Sequence, residues 1–317
     1  MNLLGSLLLA AVMVRTGLPA NLVTSTYLKD GFTPTAIASD SQGNIYLAGS
    51  AVETDYPTTP GAYQTKFVQG YYCYGMCQIG FGGNLQHVTK VDQAASKLIY
   101  STGLNDTMGY PGSTTNTGLA VDAAGNAYVT GTLFEAGYPF TVAAPIPYSD
   151  DLGYLTKLDS AGANALFSIP VGGGGVQLDS SGAVYVGGIV SSYDPVELAP
   201  ALTPPVAPPS VFSWIPQECW PNNITAISEA YVMKVDPATG AVRDAQWIDG
   251  SAPGATGIAL AGGKVWITGT TPAPDVPFSP GVLAPKNLGP GFLEGAYLGP
   301  AAGVAAPDGT DPSMRPT

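Results

Sequence analysis

Short apolar runs broken by polar turns set the rhythm of this chain. One pattern recurs four times, as Asp40-Ser-Gln-Gly-Asn-Ile-Tyr-Leu-Ala-Gly49, Asp122-Ala-Ala-Gly-Asn-Ala-Tyr-Val-Thr-Gly131, Asp179-Ser-Ser-Gly-Ala-Val-Tyr-Val-Gly-Gly188 and a worn copy, Leu260-Ala-Gly-Gly-Lys-Val-Trp-Ile-Thr-Gly269. The Asp and Gly are turn chemistry: the carboxylate can cap backbone N–H groups, and glycine takes a positive φ. Candidate turn residues are therefore Asp40, Gly43, Asp122, Gly125, Asp179, Gly182 and Gly263. The run after each turn is apolar or small on both alternating faces, as in Ile45-Tyr46-Leu47-Ala48. A strand of that kind must be covered on both sides. The position two after the aromatic is always small (Ala48, Thr130, Gly187, Thr268), which suits close approach of a neighbouring sheet.

Each copy is preceded by a short strand pattern, as at 35–38, 117–121, 175–178 and 256–260. Copies one to three are followed by two more: His87–Asp92 then 97–104, Tyr154–Asp159 then 165–171, and Tyr231–Asp236 then 242–248. Four antiparallel strands per repeat predict an all-β chain built from the blades of a β-propeller. The units run over about 32–106, 115–173, 174–250 and 254–300, with a third strand for the last expected in 291–297. Residues 21–28 look like the last strand of a unit with no unit before it. They are expected to complete the fourth blade, closing a four-bladed ring and hiding two sheet edges. A fragment of a larger propeller is the alternative.

The Asp-x-x-Gly-Asn-x-Tyr-Val-Thr-Gly-Thr run, the Tyr-Pro-Thr-Thr-Pro-Gly-Ala-Tyr-Gln run at 56–64, the Lys-x-Asp strands and the Tyr-Ser-Thr strand end together resemble the SBBP (seven-bladed β-propeller) repeat over roughly residues 21–300. The Asp-Gly turn alone also resembles NHL-type repeats. The resemblance implies a propeller in a secreted bacterial protein. It brings no catalytic residues to carry over.

Composition narrows the choice of partners. Only 11% of the 317 residues are charged, with 41 Gly and 29 Pro, as many short strands and tight turns require. A net charge of −12 and a pI near 4.2 leave no basic footprint for nucleic acid. Residues 1–20 carry an apolar run too short to span a bilayer and are expected to be a signal peptide, so the mature chain has no membrane span and is extracellular or at the cell surface. Residues 301–317 read as a disordered tail.

The candidate sites sit mainly in two long insertions between second and third strands. The first carries Tyr71, Tyr72, Tyr74 and Phe81; the second, Pro-rich, carries Trp214 and Trp220. Exposed aromatics on long loops can stack on sugars or anchor a protein. Packing of the loops onto the sheets is the competing account. Cys73 and Cys77 are expected to staple the first loop as a disulfide. A zinc set would add His87 and Cys219, but the spacing is no recognised knuckle, and no metal or other cofactor is expected. His87, the single histidine, stands where sister units have Tyr154 and Tyr231 and reads as a strand residue. Lys90, Lys157 and Lys234 each precede an Asp by two residues and so share its strand face; a structural ion pair or hydrogen bond between blades is expected, and a lysine ring around an anion is the alternative. The turn aspartates offer one carboxylate each, favouring capping over calcium. Asn105 and Asn223 open glycosylation sequons.

No nucleophile motif, phosphate loop or paired-carboxylate signature is present, so no catalytic residue is named. The expected function is a non-enzymatic binding or scaffold module for an unknown protein or glycan. The alternative is a polysaccharide hydrolase or lyase using Asp92, Asp159 or Asp236 in a central funnel.

Overall fold

The computed structural model describes residues 8–13, 21–28, 31–51, 56–66, 71–74, 76–79, 85–105, 114–133, 138–142, 152–171, 173–192, 227–248, 255–269 and 295–300. All the regular structure among them is β. In chain order the strands are β1 (Leu8–Met13), β2 (Asn21–Tyr27), β3 (Phe32–Ser39), β4 (Ile45–Ala51), β5 (Tyr71–Tyr74), β6 (Met76–Ile79), β7 (Leu85–Val91), β8 (Leu98–Gly103), β9 (Thr114–Val121), β10 (Ala127–Leu133), β11 (Leu152–Leu158), β12 (Ala165–Val171), β13 (Val176–Leu178), β14 (Val184–Ser192), β15 (Ile227–Val235), β16 (Val242–Ile248), β17 (Ala255–Ala261), β18 (Lys264–Gly269) and β19 (Gly295–Pro300).

They assemble in sequence into β3-β4-β7-β8, then β9-β10-β11-β12, then β13-β14-β15-β16, each a four-stranded meander, and finally the three-stranded β17-β18-β19. Strands paired within these sheets are neighbours in sequence, save that β4 pairs with β7 across the β5-β6 insertion, and the pairings of the first, third and fourth sheets and of β9 with β10 are antiparallel. Two small hairpins, β1-β2 and β5-β6, stand apart from these sheets.

The expected completion of the fourth sheet is corrected here. The strand at 21–27 is paired with β1, Leu8 facing Tyr27, in a two-stranded sheet of its own. Residues 8–13, inside the run expected to be a leader, are thus a strand. The third strand of the fourth sheet lies at Gly295–Pro300, slightly later than the pattern placed it.

Two compact units divide the chain: Met1–Pro139 with Thr156–Ser168, and Phe140–Leu155 with Ile169–Thr317. In the first unit, β9 runs alongside β3 and β4. Buried tyrosines fill its sheets: Tyr46, Tyr100 and Tyr128 are all but inaccessible. In the second unit, β17 lies against β13 and β14, and Ile258 joins Tyr185, Ala230, Val232, Val265 and Ile267 in one apolar cluster. Here the small position after the aromatic has its expected use: Gly187 faces Ile258 of the next sheet.

The Asp-Gly turns form as the repeat dictates. Gly43, Gly125 and Gly182 take φ values of 81°, 82° and 85°, the left-handed region where a side chain is strained. The worn copy does something different. Ala261 pairs with Lys264 across Gly262 and Gly263, both at positive φ, which is a two-residue type I′ hairpin. Two consecutive glycines replace the Asp cap, because a I′ turn needs left-handed backbone at both central positions.

Candidate functional site

Each Asp-Gly turn builds a small polar cluster. Asp40 Oδ1 accepts the backbone N–H groups of Gln42 (3.0 Å) and Asn44 (2.9 Å), and Oδ2 accepts the Asn44 side-chain amide (2.8 Å). Lys90 Nζ lies 3.3 Å from the same Oδ2. The Tyr46 hydroxyl is 3.1 Å from Oδ2 and 3.0 Å from the carbonyl oxygen of Gly125, one proton shared between two acceptors. The register that pairs Tyr46 with Lys90 sets the ammonium 4.7 Å above the tyrosine ring, a cation–π contact. The second repeat copies the arrangement: Lys157 is 3.5 Å from Asp122 and 4.9 Å from the Tyr128 ring, and the Tyr128 hydroxyl is 3.3 Å from Asp122. In the third, Lys234 lies 5.4 Å over Tyr185, whose hydroxyl is 3.4 Å from Asp179.

The lysines were expected to make structural ion pairs or hydrogen bonds between blades; the two lysine ion pairs seen lie within single sheets. Lys90 and Lys157 are tied to the turn aspartates of the neighbouring hairpin in their own sheet. Asp92, Asp159 and Asp236 cap their own turns instead: Asp92 accepts from the Ser96 and Lys97 N–H groups, Asp159 from the Ala163 N–H and Asn164 side chain, and Asp236 from Ala238, Thr239 and Arg243. Strand alternation is a local rule, and the cross-strand register won.

These clusters are poor proton carriers. Burial raises the Asp40 carboxyl, but the Asn44, Lys90 and Tyr46 hydrogen bonds outweigh it and bring it to about 2. Burial, then the charges of Asp40 and Asp122, push the Tyr46 phenol far up. Near neutrality the acid stays ionised and the phenol protonated, so neither exchanges protons with a substrate. The consequence is one of stability. With its folded value depressed below the ordinary 3.8, Asp40 stabilises the fold fully above pH 4 and loses that contribution as pH falls through 2. Asp40→Asn is expected to cost about 1 kcal/mol at neutral pH, discounted for partial solvent access, and to flatten the stability profile between pH 4 and 2. Urea titrations at stepped pH check this.

A second buried arrangement escaped sequence reasoning. The Tyr56 hydroxyl, Thr89 Oγ1 and Ser101 Oγ form a hydroxyl chain with steps of 3.2 Å and 3.0 Å. The second repeat has the same chain, Tyr138, Thr156 and Ser168, at 2.8 Å each. The third repeat carries facing Met233 and Ala245, both buried, at the corresponding pair of positions. The detectable signal was the repeated Tyr-Pro after the second strand (Tyr56-Pro57, Tyr138-Pro139) with Thr-Lys and Ser at matching places. Sealed under protein, these hydroxyls offer nothing to a substrate. His87, on the same face, is fully buried, and burial drives its imidazole down to about 3.

The loop candidates divide. Tyr71, Tyr72, Cys73 and Tyr74 lie on β5 and Cys77 on β6, and the register sets Cys73 directly opposite Cys77. Phe81, Trp214, Cys219 and Trp220 lie outside the described residues, as do Asn223 and residues 301–317. Among the described residues no three His, Cys, Asp or Glu gather to hold a metal ion, and no helix is long and apolar enough to cross a membrane. The Asn105 sequon is closed in the folded chain: its side chain is buried, accepts the Gln86 N–H (2.7 Å) and donates to the Gln86 carbonyl (3.1 Å).

No family model and no curated protein matches the chain. Similar solved structures include a protein of unknown function from Bacteroides caccae, 9% identical with a TM-score of 0.30, covering 78% of this chain and 74% of its own. Another, of unknown function from Dyadobacter fermentans, is 10% identical with a TM-score of 0.35 and covers 76% of this chain; 63% of that protein is matched.

Proposed function

We propose that this chain is a propeller of the SBBP kind, exported to the cell surface or medium, and that it binds a protein or glycan without catalysing a reaction. Three consecutive four-stranded sheets, followed by a three-stranded one, support the propeller reading, since four antiparallel strands make one blade. The single observation that carries the functional reading is the fate of the turn-proximal carboxylates. Asp40, Asp92, Asp122, Asp159, Asp179 and Asp236 all serve as turn caps, and Asp40 and Asp122 also hold lysines. That leaves the aromatic-rich insertions as the surface free to vary.

The first insertion is presented on the β5-β6 hairpin. Facing positions of an antiparallel pair hold their Cβ atoms about 4.5–5.5 Å apart, within a small adjustment of disulfide geometry. A Cys73–Cys77 bond would stiffen the hairpin and lower the ordering cost of binding.

The test replaces residues 67–84 with a short Gly-Ser linker and measures binding on glycan arrays and in polysaccharide pull-downs. The expected result is lost binding with an unchanged melting profile. Undiminished binding overturns the loop assignment, and turnover of a polysaccharide by the intact protein overturns the non-enzymatic reading. Mass spectrometry of alkylated, unreduced protein should find Cys73 and Cys77 protected from the reagent.

A further inference from the structure

The junction between the first and second sheets holds a polar group that its protein neighbours leave unbonded. Tyr46, Lys90 and Tyr100 stand directly opposite one another on β4, β7 and β8, so they share one face of the first sheet. The rings of Tyr46 and Tyr100 meet edge to face at 6.3 Å, although β7 lies between their strands. Two turns of the second sheet close over this row. At one, the Gly125 carbonyl accepts from the Tyr46 hydroxyl (3.0 Å). At the other, Gly162 takes a φ of 66° and lies so near the Tyr100 ring that a side chain there would overlap it. Residues 56–64 hold this second turn down. The Tyr63 N–H donates to the Gly162 carbonyl (2.8 Å), and the same segment brings the Tyr56 ring to 4.3 Å from that of His87.

Tyr100 is thereby 1% exposed, and its hydroxyl is buried with no hydrogen-bond partner among the described residues. Burial, with Tyr46 and Asp159 adding to it, pushes the phenol far up, so the hydroxyl keeps its proton and its need for an acceptor. The fold does not impose this. In the second repeat Phe167 stands at the corresponding place, just as buried, and meets Tyr128 edge to face at 6.2 Å. A bare phenyl ring packs there; the first repeat adds a hydroxyl. A buried hydroxyl without a partner costs stability that a hydrogen bond restores.

We propose that the Tyr100 hydroxyl holds a buried water molecule between the first and second sheets, and that this water links it to the carboxylate of Asp159.

Asp159 opens the turn whose Gly162 touches the ring, so its carboxylate stands at the same junction. Tyr100 donates to the water oxygen, and the water donates to the carboxylate. Two such polar partners are the least that an internal water needs. The charges around the site select a neutral ligand. The Asp40 and Asp159 carboxylates disfavour an anion, and the Lys90 ammonium, 3.3 Å from Asp40, disfavours a cation. Water is the small neutral molecule that both accepts and donates. The site lies away from the aromatic insertions and does not depend on the binding reading.

The test compares the full-length wild type with Tyr100→Phe, which installs the ring that the second repeat already carries. An idle buried hydroxyl would make the variant the more stable of the two, with a melting temperature raised by a few degrees. A hydrated one should make it melt about 1–4 °C lower. A crystal structure of the wild type should show an ordered water within hydrogen-bond distance of Tyr100 Oη, and that water should be gone from Tyr100→Phe. A variant that melts higher than the wild type overturns the proposal. So does a wild-type Tyr100 Oη with no ordered water beside it, or a water that stays in place in the variant. If Tyr100→Phe fails to fold, the wild-type crystal structure decides alone.

Discussion

Gly174→Ala is expected to abolish folding. A methyl group built on Gly174 overlaps the carbonyl oxygen and carbon of Gly187 and sits 3.0 Å from the Cα of Gly188. The obstacle is backbone, and it cannot rotate aside as a side chain would. The Gly187 N–H is itself bonded to the Gly175 carbonyl at 3.0 Å, and β14 is held on its other side by β15. Retreat in the other direction is closed as well, since Gly175 is already tight against Ile258 of β17. Relieving the overlap means parting β13 from β14 or moving the third sheet off the fourth. Either costs more than about 4 kcal/mol, a large part of the roughly 5–15 kcal/mol that separates folded from unfolded in a typical domain. The control is Gly182→Ala. There φ is +85° but no atom lies within 4 Å, so strain alone acts and the loss should be about 1–2 kcal/mol. Soluble yield and thermal melts followed by circular dichroism check the pair. A well-folded Gly174→Ala protein would mean the two strands are not packed as described.

Tyr46→Ala should be nearly as damaging, at about 3–5 kcal/mol. The ring is fully buried, meets Tyr100 edge to face at 6.3 Å and lies under the Lys90 ammonium. Removing it opens a cavity and takes away the cation's aromatic partner. It also leaves the Gly125 carbonyl without the hydroxyl that reaches it from the first sheet. Tyr46→Phe separates these effects. The ring and the cation–π contact stay and only the hydroxyl goes, so the loss should be about 1–2 kcal/mol. Denaturant unfolding of the two variants gives the comparison. A Phe variant as unstable as the Ala variant would place the energy in the hydroxyl rather than in the ring.

The sheets were the legible part of this chain because two local signals agreed. The Asp-x-x-Gly spacing marked where strands turn, and the apolar runs marked the strands, so β3, β4 and β7 through β18 stand close to where the repeat places them. Partners across strands were harder. The spacing of Lys90 and Asp92 suggests a shared face, but the carboxylate beside Lys90 belongs to Asp40, half a repeat away, and only the β4–β7 register reveals it. The β5-β6 hairpin was hidden in a Tyr- and Gly-rich stretch that reads as loop. The apolar run at 8–13 fits a leader and a strand equally well until its partner at 21–27 is known. His87 was recognised as a strand residue, but its environment depends on Tyr56, which arrives from a segment without regular structure.

The β4–β7 pairing has a consequence for chain entropy. Its ladder runs unbroken from Ile45 facing Val91 to Ala51 facing Leu85, and the Asp40–Lys90 tie clamps it at the end away from the insertion. The insertion between these strands therefore leaves and returns through two points held a strand spacing apart, whatever lies between. For a flexible segment closed in this way, each doubling of length costs only about 0.6 kcal/mol. This crossing is thus a natural port for foreign sequence. A peptide tag or small domain grafted between Ala51 and Leu85 should leave the first sheet standing, provided residues 56–64 are kept to cover the histidine.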